Sequence, residues 1–332
     1  MDHSFKLIDW MLSRYPIEAI IIQDELTFSN HADAMEFCRR IRKYDIRWTC
    51  FIRADMKMPE ETLSAMKASG CAIATLGIES ADSNVLKSMR KGTKVEQVER
   101  IRTVAARIGL PVIGWLIFGD QVETMETALK SINWRVAHQN DRDWFVGMHM
   151  IYSAPGSYMY KIACEKGIVS DKKKFLRDAF PPVNLSKMTD DEYNAIAVLL
   201  DVLRSVNRLK EVQVTPRNDF CVALAGKCPH CSHVINYERL ELFVDISPHI
   251  CPYCGRFVTV NAIEYFDFNK LSNNISSLLD GGGAALWAIT FYNSYHLLEL
   301  VPSLKADNVK IECLTFLIKS VAEKENRKIY TS

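Results

Sequence analysis

No stretch of the 332-residue chain is apolar for long enough to cross a bilayer, and Asp2, Lys6, Asp9 and Arg14 break up the segment where a signal peptide needs an uncharged core. Like charges do not gather either. The 41 lysines and arginines are interspersed with 40 aspartates and glutamates, for a net charge of +1, which leaves no electrostatic footprint for nucleic acid or a membrane surface. Ten cysteines are too sparse in a chain of this length for a secreted disulfide scaffold. Internal repeats and low-complexity tracts are missing, so the chain is not a repeat array. A working phosphate loop is also missing. Gly281-Gly282-Gly283 precede an apolar run, whereas a dinucleotide fingerprint needs its glycines after the strand, where backbone N–H groups at a helix N-terminus face the phosphates. These absences predict a cytoplasmic protein that, with 48% hydrophobic residues, buries a core of its own.

What the chain does have is a cadence of five apolar runs: Ala19–Ile22, Trp48–Ile52, Cys71–Leu76, Pro111–Phe118 and Trp144–Ile151. They end in Asp24-Glu25, Arg53-Ala54-Asp55, Gly77-Ile78-Glu79-Ser80, Gly119-Asp120 and Ser153-Ala154-Pro155-Gly156. Short apolar runs separated by amphipathic segments of helix length predict parallel strands joined by crossover helices, because parallel sheets are covered on both faces. Polar residues gathered where such strands end predict an active-site face of the barrel type.

The order and spacing of Gln23-Asp24-Glu25-Leu26-Thr27-Phe28, Arg53-Ala54-Asp55, Gly70-Cys71, Gly77-Ile78-Glu79-Ser80, Lys91-Gly92-Thr93, Gly114–Gly119 and Glu123–Thr127 resembles radical S-adenosylmethionine (SAM) enzymes, in the branch that often carries an N-terminal cobalamin domain. The resemblance covers about the first half of the chain. It implies an incomplete (β/α)6 TIM-like barrel, with SAM, a 4Fe-4S cluster and cobalamin as the family's cofactors. Members hold the cluster on three closely spaced cysteines after the first barrel strand. This sequence contains no such triplet and opens with an amphipathic helix, expected over Ser4–Tyr15, that corresponds to the one after that loop.

By the same resemblance, Asp24 or Glu25 meets the methionyl ammonium of SAM, Arg53 clamps its carboxylate, Glu79 with Ser80 beside it binds the ribose, and Gly114 and Gly119 let the backbone approach the adenine. Each has a plainer reading in its residue chemistry. The acidic pair suits a helix N-cap, and Arg53 suits an ion pair with Asp55 or Glu79. A buried Glu79 needs a partner in any case. Gln121-Val122 stand where the family pattern has Pro-Gly before Glu123-Thr124. His149, within an apolar run, reads as a hydrogen-bonded core histidine, and Cys38, Cys50, Cys71 and Cys164 as buried structural thiols.

The strongest local signal is Cys228-Pro229-His230-Cys231 followed by Cys251-Pro252-Tyr253-Cys254-Gly255. Two Cys-x-x-Cys knuckles at this separation deliver four thiolates to one tetrahedral ion, with zinc favoured in a closed structural site and a small hairpin expected over residues 234–246. The predicted organisation is a barrel-like unit over 1–180, a helical segment over 181–220 opened by a capping box at Thr189–Glu192, a zinc ribbon over 221–262 and a small α/β, partial Rossmann-like module over 263–332. The last contains a strand at Ala284–Ile289, a helix at Tyr292–Val301 and a strand at Val309–Cys313.

Six strands are implied and five are visible, so an open barrel edge is expected, covered by a second chain or a homo-oligomer. Three functions follow. The first is the SAM-binding portion of a radical SAM protein, with 5′-deoxyadenosyl radical chemistry, possible methyl transfer, and a cluster segment outside this chain. The second is a degenerate, non-catalytic zinc-ribbon binding or scaffold protein. The third, ranked last, is an unrelated barrel enzyme using Asp24, Glu25 and Glu79 for acid–base work.

Overall fold

The computed structural model describes residues 1–260 apart from 25, 57, 179, 219–220 and 242–247. Glu25 and the expected α/β module over 263–332, with its two strands and helix, lie outside the described residues. By internal contacts the chain divides into two units. One comprises Met1–Ile151, Pro182–Val206 and Ile250–Phe257, and the other holds Tyr152–Pro181, Asn207–His249 and the remainder.

In the first unit all five apolar runs are strands: β1 (Ala19–Ile21), β2 (Arg47–Ile52), β3 (Cys71–Glu79), β4 (Val112–Phe118) and β5 (Trp144–Met150). They pair in chain order as one five-stranded sheet, every neighbour parallel. Crossover helices join them: α2 (His31–Ile41), α3 (Glu60–Ala68), α4 (Ser83–Ser88) with α5 (Val95–Ile108), and α6 (Met125–Ala137). The opening helix α1 covers Asp2–Leu12, starting and ending a little before its expected span. Its Phe5 packs on Phe37 of α2 at a ring separation of 5.4 Å.

Period-two alternation sorts the strand residues onto two faces. Trp48, Cys50, Ile52, Ala74, Leu76, Leu116, Phe118, Val146 and Met148 are buried in one core with Phe37, Ile41, Leu63, Met66, Val98, Ile101, Ala128 and Ile132 of the helices. Trp48 is the largest fully buried side chain among the described residues, and its indole N–H donates to the Ser69 carbonyl at 2.9 Å. On the opposite face Thr49, Phe51, Thr75, Trp115, Ile117 and His149 are half-buried. Local chemistry fixes the helix ends. Asn30 caps α2 by accepting from the Asp33 N–H at 2.9 Å, Thr124 and Thr127 cap α6 reciprocally, and Gly109, at φ 68°, ends α5 in the left-handed region.

The capping box at Thr189 and Glu192 opens α9 (Asp190–Ser205) as expected, and Ile196 and Leu200 of that helix enter the same core. From its last turn Arg204 donates through Nε at 3.0 Å and Nη2 at 2.6 Å to the Met148 carbonyl on the outer edge of β5. The expected helical segment does not continue to 220. Lys210–Asn218 is a strand, because Val212 and Val214 alternate with polar residues at the period of a strand.

In the second unit α7 (Tyr158–Glu165) and α8 (Lys172–Arg177) precede an antiparallel three-stranded sheet of β6 (Lys210–Asn218), β7 (Cys221–Lys227) and β8 (Val234–Glu241), in that order. The two-residue strands β9 (His249–Ile250) and β10 (Phe257–Val258) pair with each other. Among the described residues no helix is long and apolar enough to cross a membrane.

Gly147 on β5 lies beneath the indole of Trp115, its register partner on β4, and a Cβ there would run into the ring. Gly147→Ala is expected to destabilise the protein by about 1–3 kcal/mol through overpacking. Urea unfolding measures it, and a change below about 0.5 kcal/mol, the range of neutral surface changes, would show that the indole is free to move.

Candidate functional site

Because all five strands run in one direction, the residues after their last hydrogen bonds share one edge of the sheet. Asp24 follows β1 and is exposed. It does not cap α2, a role taken by Asn30, while Thr27 extends the pairing through its N–H to the Phe51 carbonyl at 3.2 Å. After β2, Arg53 grips Asp55 with Nε on Oδ1 at 2.9 Å and Nη2 on Oδ2 at 2.5 Å. The guanidinium beside it holds the Asp55 carboxyl below its ordinary value, and the pairing raises Arg53 in turn. Arg53 Nη2 also donates to the Lys91 carbonyl at 2.9 Å.

The end of β3 is the most constrained point of this edge. The pairing with β4 slips between Gly77 and Glu79, a bulge that leaves Ile78 unpaired, and Glu79 takes φ 66°. A non-glycine residue there is strained, and such strain persists only where surrounding contacts over-determine it. The carboxylate folds back over Gly77, where a Cβ would lie 2.5 Å from Oε1. Glu79 is 8% exposed, and Lys91 Nζ lies 2.9 Å from Oε1. Glu79, Arg53 and Asp55 are thus linked through one residue, Lys91, which the sequence offers only as part of a loop motif.

Ser80 turns away from this linkage. Fully buried, its Oγ lies 3.1 Å from the Ser131 hydroxyl of α6 and accepts from the Asp82 N–H at 3.0 Å, so the structure uses it to tie β3 to α6. Gly114 gives its missing side chain's space to Ile78 of the neighbouring strand. Gly119 has φ 109°, and a Cβ on it would lie 3.1 Å from the Tyr193 ring of α9. Both glycines therefore have packing reasons within the fold.

Glu123, in the loop after β4, is a carboxyl to which its sequence motif assigns no role. It is fully buried; Oε2 accepts from the Gly119 N–H at 2.5 Å, and Oε1 has no hydrogen-bond partner. Burial, with the charges of Asp120 and Asp82, pushes its carboxyl up to about 7 against the opposing pull of the Gly119 N–H. His149, half-buried on the face away from the helices, lies 4.9 Å from Trp115, ring to ring, and burial together with Arg204 pushes it down to about 4, so its ring is uncharged at neutral pH.

The four ribbon cysteines come together, their sulfurs within 4.8 Å of one another. Four sulfurs at about 2.3 Å from a tetrahedral ion would be about 3.8 Å apart, so the group fits a metal. The knuckles share one backbone pattern. The Cys228 N–H donates to the His233 carbonyl and the Ser232 N–H to the Cys228 carbonyl; the Cys251 N–H donates to the Arg256 carbonyl and the Gly255 N–H to the Cys251 carbonyl, all at 2.9 Å. Ser232 and Gly255 occupy equivalent positions at φ 62° and 69°. The first knuckle is the tip of the β7–β8 hairpin and the second lies between β9 and β10; of the hairpin expected over 234–246, residues 234–241 are strand β8 and 242–246 lie outside the described residues.

Among the described residues outside the ribbon, no three cysteines come together as cluster ligands would. Cys38, Cys50 and Cys71 are buried, Cys50 and Cys71 interact, and this contact with burial raises Cys50 while burial raises Cys38 to about 11. Burial thus disfavours the thiolate form of Cys38 and Cys50, the form a cluster ligand takes.

Glu123 generates a pH prediction. Its folded value lies above its unfolded one, so the stability it confers is complete below about pH 4.5 and is lost as pH rises through about 7. Urea unfolding between pH 5 and 8 is expected to show Glu123→Gln gaining on the wild type by up to about 1.4 kcal/mol per pH unit. Parallel curves for the two proteins would refute the raised value.

No family model matches the chain. Over 158 residues it is 32% identical to an uncharacterized methyltransferase of Pyrococcus horikoshii, a match covering 47% of this chain and 33% of that protein. Over 86 residues it is 28% identical to the bacteriochlorophyllide d C-12(1)-methyltransferase of Chlorobaculum tepidum, covering 26% and 19% of the two. The chain thus spans about a third or less of the length of these curated relatives. Among solved structures, the radical SAM methyltransferase TsrM of Kitasatospora setae, with cobalamin and a 4Fe-4S cluster bound, matches 50% of this chain and 34% of its own at 20% identity and TM-score 0.41. Elp3 of Methanocaldococcus infernus matches 82% of this chain and 85% of its own at 11% identity and TM-score 0.38. The chain resembles radical SAM proteins, methyltransferases among them.

Proposed function

We propose that the first unit is the SAM-binding portion of a radical SAM-type methyl-transfer protein, its parallel sheet an incomplete (β/α)6 barrel with the ligand on the edge where the strands end. The observation that carries this reading is the end of β3. There a bulge, a left-handed backbone and a side-chain-free Gly77 hold the Glu79 carboxylate in a buried position no packing need explains, linked through Lys91 to the Arg53–Asp55 pair. Glu79 is assigned to the ribose hydroxyls and Asp24 or Glu25 to the methionyl ammonium. Arg53, already neutralised by Asp55, would keep a free face for the carboxylate. Ser80, Gly114 and Gly119, each also used in the packing or hydrogen bonding of the fold, stay assigned to the ribose and adenine side of the same site.

Radical chemistry requires a reduced iron–sulfur cluster, which supplies the electron that cleaves SAM. The sequence holds no closely spaced cysteine triplet, and the described residues offer no cluster site outside the ribbon. The cluster ligands would come from a polypeptide segment seated beside β1, supplied by a longer protein or a second chain. That absence of a cysteine triplet also favours the second reading, a non-catalytic binding protein that keeps the fold and the ribbon. The four-cysteine group is assigned to structural zinc, because a closed site leaves no open coordination position and so serves folding.

Isothermal titration of the full chain with SAM tests the first reading. Glu79→Gln is expected to weaken binding roughly ten- to a hundredfold, the worth of charge-assisted hydrogen bonds from two hydroxyls, with unfolding changed by less than about 1 kcal/mol. Unchanged affinity would remove Glu79 from the site. About one zinc per chain and no acid-labile sulfide are expected after anaerobic reconstitution. The chain alone should form no 5′-deoxyadenosine with a reductant, and reductant-dependent product would overturn the assignment of the cluster to another segment.

A further inference from the structure

The two halves of the Lys91–Glu79 ion pair are held very differently. Glu79 is fixed by backbone: the bulge, its left-handed conformation and the space above Gly77 leave its carboxylate one place to be. Lys91 is fixed only at its main chain, where Arg53 Nη2 donates to its carbonyl at 2.9 Å. The next residue, Gly92, turns at φ 68°, with a Cβ position 3.3 Å from Asp55 Oδ2, so the Arg53–Asp55 pair backs the loop on both sides of the peptide. The lysine side chain itself is 45% exposed, against 11% for that of Glu79. The loop is anchored through its main chain, while the lysine side chain is held by its one ion pair and stands partly in solvent.

An ionised carboxylate in so enclosed a place is costly without a donor. The Lys91 ammonium meets that need with the same hydrogen-bonding direction that a pair of ligand hydroxyls would use. A half-exposed lysine gives up such a contact cheaply, because water receives its charge.

We propose that Lys91 is an internal competitor at the nucleoside site, its ammonium occupying the donor position on Glu79 that a ribose diol takes when the ligand binds. This rests on the assignment of Glu79 to the ribose. Only the fraction of molecules with Lys91 swung away is competent, so the pair lowers apparent affinity by that fraction and keeps the carboxylate satisfied between ligands.

The test is calorimetric titration of the full chain with SAM at low and high salt. Lys91→Met keeps most of the stem and removes the charge, with Lys91→Gln as a second variant should the first fold poorly. Either is expected to tighten binding roughly two- to fivefold at low salt, the size of a partly exposed ion pair. The gain should shrink at high salt, where the wild type is itself released, and vanish in the Glu79→Gln background. Lys91→Arg should behave as the wild type. A lysine that merely supports the fold, or that contacts the ligand carboxylate, would give weaker binding on removal. Weaker or unchanged binding in Lys91→Met, with Glu79→Gln still weakening it, overturns the competitor and leaves the assignment of Glu79 standing. If Glu79→Gln binds as tightly as the wild type, or no variant binds SAM, that assignment fails and the competitor with it.

Discussion

A parallel strand can be continued only by carrying the chain back along the outside of the sheet, and this requirement organises the first unit. Each return is a helix whose apolar side must be buried, so Phe37, Leu63, Val98 and Ile132 all pack on one face of the sheet around Trp48, Leu76 and Leu116. Each return also brings the next strand to its end on the same edge. Arg53, Glu79 and Gly119 are far apart in sequence and share that edge because the five strands have one direction. The polar face is a product of topology before it is a product of any particular residue.

Several glycines of the sheet solve a packing problem of the same kind. Gly77 makes room for the Glu79 carboxylate, Gly114 for the Ile78 side chain and Gly147 for the Trp115 indole. In each case the side chain that fills the space belongs to the same strand or its neighbour, so the glycines act in pairs with bulky partners. Gly119, at φ 109°, differs from these three in being favoured by its backbone conformation as well.

The elements legible in the sequence were those written in a short period or a fixed spacing. Five apolar runs became five strands, Thr189 and Glu192 formed the capping box that their three-residue spacing implies, and the paired Cys-x-x-Cys knuckles converged. What escaped was set by contacts between elements. Lys91 lies twelve residues after Glu79 in a loop without periodicity, and nothing local marks it as the partner of that carboxylate. Glu123 reads as a polar loop residue, yet it is fully buried on the Gly119 N–H. Cys50 and Cys71 look unrelated until adjacent strands bring them into contact. The strand at Lys210–Asn218 was legible in its alternating valines and was obscured by the helix before it.

The two borders of the parallel sheet are unequal. On β5 the outward-facing Met148 carbonyl is already spoken for by two N–H groups of Arg204, a charge-assisted contact that an incoming strand would have to displace. On the other side β1 is three residues long, with Ile21 at 63% exposure. The guanidinium thus takes up one main-chain acceptor of the β5 border, from a helix that belongs to the same core. The β1 border is instead short and ends beside the exposed Asp24, at the polar edge.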